Sequence, residues 1–100
     1  FRRNGQVMGM KLQDALFNWL QMAIVVEGRP DDRSAHDTLD FFREILEQDH
    51  QIDHVEIIGR DATMIHVRYG NAEGSKVQLF DRERAEQLLR DINSNPKYNL

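Results

Sequence analysis

The sequence predicts an α+β domain in the order α-α-β-β-β-α, with a three-stranded antiparallel meander and the helices packed on one of its faces. Three observations carry that prediction. Apolar residues recur at three- and four-residue spacing from Leu12 to Val26, and again from Ala35 to Leu46. The period then changes to two between Val55 and Leu79. It returns to helical spacing after Asp81, and helices segregated from a run of strands are the mark of an α+β layer architecture.

In the first helix Leu12, Ala15, Leu16, Trp19, Ala23 and Val26 fall on one stripe, with Lys11, Asp14 and Asn18 off it. Met22 to Glu27 reads in two ways. Its Ile-Val-Val run suits a strand, whereas the lack of any turn residue between Trp19 and Ile24, and the stop signal at Gly28, favour continued helix. Arg29-Pro30-Asp31-Asp32 is a turn into a second helix, its aspartates favourable at the positive helix end. That helix gathers Ala35, Thr38, Leu39, Phe42, Ile45 and Leu46 on one arc, and it ends near Gln48 to His50. Three strands follow. Val55 and Ile57 flank Glu56; Ile65, Val67 and Tyr69 alternate with Met64, His66 and Arg68; Val77 and Leu79 alternate with Lys76 and Gln78. Residues 59–61 and 70–75 are connections short enough for hairpins. Asp81 caps a last helix with Ala85, Leu88, Leu89 and Ile92 as its apolar stripe, and Asn95-Pro96 ends it. The expected core is Leu39, Phe42, Ile45 and Leu46 against Val55, Ile57, Ile65, Val67 and Leu89.

With 100 residues, two prolines and six glycines, the chain has room for one core. Residues 10–100 are read as a single domain, and residues 1–9 as an upstream or cloning remnant ahead of a start at Met8 or Met10. The longest apolar run, Met22 to Val26, is far below the roughly 20 residues of a spanning helix, and no membrane association is expected. The absence of cysteine excludes disulfides, zinc-thiolate sites and thiol nucleophiles. Without a secretory pattern at the start, the cytoplasm is the expected location. Ten of the 17 carboxylates fall between Glu27 and Glu56, against three arginines. So acidic a half opposes nucleic-acid binding, whose affinity comes largely from phosphate neutralisation.

Ser34, His36 and Asp37 carry the letters of a nucleophilic triad, but neighbours on a helix diverge by about 100° and cannot converge on one atom. No catalytic residue is assigned. Asp32, His36 and Asp40, with Glu47 nearby, share a helical stripe, and His50 and His54 straddle the next junction. Ligands from one exposed helix seldom close a metal site, so no metal is assigned. Gly70 and Gly74 sit within a hairpin instead of between a strand and a helix, so no cofactor is expected either.

Two surfaces remain. If Val55 and Ile57 share a face with Ile65 and Val67, then His54, Glu56, His66 and Arg68 share the other, with Gln78 beside them. The register is open at this point: Glu56 opposite His66, or His54 opposite His66. Imidazoles near a carboxylate titrate near neutrality and suit anion binding, partner binding or proton transfer. The second surface is Leu20, Met22, Ile24 and Val25, which make the first helix apolar almost all round and mark an expected interface with a protein partner or a second copy as a homodimer.

Lys11 to Leu20, Arg29-Pro30-Asp31-Asp32 through Asp37-Thr38, Phe41-Phe42, Asp49-His50 and Pro96 to Asn99 together resemble a group of short, uncharacterised cytosolic proteins of spore-forming bacilli, over about residues 10–100. The resemblance implies a cytosolic setting and brings no activity with it. The expected function is therefore binding or interaction with a partner, without catalysis. The alternative is a small enzyme or anion sensor built on His54, Glu56, His66 and Arg68.

Overall fold

The structure is a computed structural model, and it describes residues 10–95. Its order is α1 (Leu12–Gly28), α2 (Arg33–His50), β1 (His54–Arg60), β2 (Met64–Asn71), β3 (Gly74–Asp81) and α3 (Arg82–Ser94), which is the α-α-β-β-β-α arrangement expected. Met22 to Glu27 is helix, continuous with the rest of α1.

Local chemistry sets the boundaries. Asp32 caps α2 by accepting the Ala35 N–H at 3.1 Å, and Asp81 caps α3 by accepting that of Arg84 at 2.9 Å. Asp81 is also the last residue of β3, so strand and helix join without a linker. Gln51 ends α2 in the left-handed conformation, φ 56° and ψ 37°, and its N–H bonds back into the last turn.

The sheet order is β1-β2-β3, both pairs antiparallel. Ile65, Val67 and Tyr69 of β2 are buried while Arg68 between them is exposed, so the helices cover one face and leave the other open. Helix α1 is central. Ala15, Leu16, Trp19, Leu20 and Ile24 pack with Ile45 and Leu46 of α2, Ile52, the three buried residues of β2 and Ala85 of α3. Met22 and Val25 form a second cluster with Ala35, joined by Leu39 and Phe42 of α2 and by Leu88, Leu89 and Ile92 of α3.

Two expectations change here. Leu20, Met22, Ile24 and Val25 are buried by the chain's own helices and sheet, each with 9 % or less of its surface exposed. They are core residues, because α1 lies between two helices and a sheet that cover the sides on which these four residues stand. Leu39, Phe42, Val55, Ile57 and Leu89 do pack against the core as expected, but each is only half-buried. Ile45, Leu46, Ile65 and Val67 are fully buried.

Candidate functional site

The site singled out by the sequence lies on the open face of the sheet. Pairing in β1–β2 runs His54↔Gly70, Val55↔Tyr69, Glu56↔Arg68 and Ile57↔Val67, then shifts by a bulge so that Gly59 faces His66 and Arg60 faces Ile65. Neither expected register is present, because the extra residue Ile58 sets where the strand meets its turn and alternation alone does not reveal a bulge. The bulge also reverses the alternation beyond it. Arg60 now lies opposite a buried residue and bonds Glu27 at the end of α1, at 2.6 and 2.7 Å.

The four predicted residues share the open face, and each is occupied there. Glu56 and Arg68 are cross-strand partners joined at 2.8 and 3.1 Å. His66 Nε2 lies 3.1 Å from Asp61 Oδ2 in the β1–β2 turn. His54 Nδ1 meets Asp53 Oδ1 at 3.0 Å, and its Nε2 meets Ser75 Oγ at 3.0 Å. That last contact crosses a whole strand: His54, Gly70 and Ser75 are successive cross-strand partners, and the imidazole reaches from β1 to β3 over the bare glycine. The two imidazoles stand at opposite ends of the face, four positions apart along β2, or roughly 13 Å at about 3.3 Å per residue.

Asp61 organises the other end. It accepts the N–H groups of Thr63 and Met64 at 2.9 and 2.8 Å, while its own carbonyl accepts Arg82 Nη1 at 2.8 Å. The bond from His66, followed by those from Thr63 and Met64, holds its carboxyl down at about 2, well below the ordinary 3.8. Sequence reading missed Asp61, although an aspartate two residues before a threonine in a short turn is the signal for such a side-chain-to-backbone cap.

Gln78 is not part of this face. The hairpin Asn71–Gly74 sets Val67 opposite Gln78, Arg68 opposite Val77 and His66 opposite Leu79. Cross-strand partners share a face, so Gln78 turns toward the helices, and Val77 and Leu79 turn outward with Arg68 and His66. The open face thus carries Ile58, Val77 and Leu79, exposed by 42 %, 52 % and 47 %, between the Glu56–Arg68 ion pair and the His66–Asp61 hydrogen bond. The only other large apolar side chain so exposed among the described residues is Phe41 of α2.

The two largest grooves described do not unite the four residues. A groove of about 870 Å³ runs between the end of α1 and the start of α2, over Met22, Val25, Ala35 and Ile92. Another, of about 570 Å³, separates α2 from β1 and takes in His54 and Glu56 without His66 or Arg68. Asp32 and His36 are engaged locally, Asp32 with Arg29 and Ala35, His36 with the Pro30 carbonyl at 2.8 Å. No three His, Asp or Glu side chains converge in metal-binding geometry among the described residues, and no helix there is long and apolar enough to cross a membrane. Comparison with protein-family models, with curated proteins and with solved structures yields no match to this chain.

Proposed function

We propose that this is a small cytosolic interaction protein without catalytic activity, and that it docks a protein partner on the open face of its sheet. One observation carries the reading: three of the four large apolar side chains exposed among the described residues, Ile58, Val77 and Leu79, are gathered on that face. The polar groups beside them are partnered within the chain, by the Glu56–Arg68 ion pair and the His66–Asp61 hydrogen bond, so a partner covering them meets groups that are already bonded. Patches of this kind, apolar and rimmed by polar groups, mark interaction surfaces. The partner's chemistry follows from the face. It presents apolar side chains at its centre, to meet Ile58, Val77 and Leu79, and polar groups around them, since the polar side chains of this face are already partnered within the chain.

The test uses two folded variants and the native host's proteins. Ile58→Asp charges the face, whereas Phe41→Ser removes the exposed apolar group on α2. A partner that cross-links to the original chain and to Phe41→Ser, and is lost with Ile58→Asp, is the expected outcome. A set of cross-linked proteins unchanged by Ile58→Asp would overturn the docking site, and turnover of a substrate abolished by Arg68→Ala would overturn the non-catalytic reading.

A further inference from the structure

The two edges of the sheet differ. Among the described residues no backbone group of β3 is bonded on the side away from β2, and the same holds for β1 on its outer side. Unpaired edges are templates for another strand, and proteins blunt them with bulges, charges, proline or a covering element. Strand β1 is blunted: it bulges at Ile58, carries Glu56 and Arg60, and has α2 alongside across the 570 Å³ groove. Strand β3 is not. Its eight residues pair with β2 without a register shift, it holds no proline and a single lysine, and Gly74 to Val77 are exposed throughout.

Its hydrogen-bonding pattern follows from the turn. A two-residue loop, Ala72-Glu73, is closed by a bonded pair, Asn71 and Gly74. Bonded pairs then recur at Tyr69–Lys76, Val67–Gln78 and Ile65–Phe80, which leaves the N–H and C=O groups of Ser75, Val77 and Leu79 directed outward.

We infer that β3 pairs antiparallel with β3 of a second copy of this chain, on a two-fold axis through Gln78. In that register Val77 faces the partner's Leu79 and Leu79 the partner's Val77, each pair exchanging two backbone bonds, and Ser75 faces the partner's Asp81. The strand is self-complementary there. Apolar side chains meet apolar ones on the open face, and Gln78 meets its own copy on the helix side, amide to amide. A two-fold through Val77 instead sets Ser75 against Leu79, and one through Leu79 sets Val77 against Asp81. An isologous contact closes at two copies. The product is one six-stranded sheet whose open face doubles the apolar row, and the inference goes beyond partner docking because it uses the edge of β3 and leaves Ile58 free.

Because the chain has no cysteine, the register can be trapped directly. A pair that is not hydrogen-bonded places its Cα atoms about 4.5 Å apart, within the span of a disulfide. Gln78→Cys is expected to form a covalent dimer under mild oxidation at least tenfold faster than Lys76→Cys, whose own copy lies four pairings away. Sedimentation of the original chain at about 100 μM should give twice the 11.8 kDa chain mass. Val77→Pro, which removes one outward N–H at an edge where proline is tolerated, should sediment as a folded monomer. Ile58→Asp should remain dimeric, which separates this contact from the docking face. A monomeric original chain, equal cross-linking rates for the two cysteine variants, or a dimer that survives Val77→Pro would each overturn the inference.

Discussion

Gly70 shows how much one missing side chain can decide. A Cβ built there would strike the Gly74 carbonyl oxygen and come within 2.7 Å of Ser75 Cα, both backbone atoms that cannot swing aside. It would also stand in the path of the His54–Ser75 hydrogen bond. Gly70→Ala should therefore destabilise the fold by about 1–3 kcal/mol in urea unfolding, as overpacking against fixed atoms does. A neutral result would mean that the hairpin opens freely. Asp61 makes the complementary prediction for pH. Its carboxyl is held at about 2 in the fold and titrates near 3.8 when the contacts are absent. A depressed carboxyl contributes stability that is complete above 3.8 and fades as pH falls through 2. Chemical denaturation of Asp61→Asn between pH 5 and pH 2 should show a shallower acid loss than the original chain. Curves that run parallel over that window would remove Asp61 from the account.

At the scale of elements, the helices were legible and the details of the sheet were not. Capping aspartates and 3.6-residue spacing mark α2 and α3 because these signals are local: Asp32 and Asp81 bond residues three positions on. The strand pattern gave the right three strands, yet it could not give the bulge at Ile58, since one extra residue leaves the sequence alternation before it untouched. It also misled at β3. Val77 and Leu79 were read as one apolar alternation among three, but the two-residue hairpin loop, not hydrophobicity, fixes which side they take. The predicted site was legible as a face and illegible as a set of partners: Glu56–Arg68 depends on the bulge, and His54–Ser75 on Gly70. Burial depth separates the α2 positions that the spacing groups together. Leu46 is fully buried and Phe42 half-buried, so Leu46→Ala should cost about 2–5 kcal/mol and Phe42→Ala less than the 3–5 of a buried aromatic. A Phe42→Ala loss that reaches the buried-aromatic range in urea titration would show that Phe42 is enclosed and not half-buried.

Over the whole molecule, the arrangement explains why the apolar excess of α1 does not signal an interface. A three-stranded sheet covers one side of that helix, α2 and α3 cover others, and Leu20 to Val25 are consumed in closing the two clusters. Apolar surface left over appears on the opposite layer, at Ile58, Val77 and Leu79, where no element of the described chain lies. Part of the acidic bias sits on the solvent side of α2, with Asp37, Asp40, Glu44 and Glu47 all exposed, so that acidic surface and the apolar row of the open face belong to different layers. Trp19, the one tryptophan of the sequence, lies 5 % exposed within the larger cluster, its indole N–H without a hydrogen-bond partner among the described residues. Its fluorescence is therefore a gauge of the interior alone: emission should sit toward the blue while the core is intact, shift when the fold melts, and stay unmoved by whatever attaches to the outer sheet or its edge.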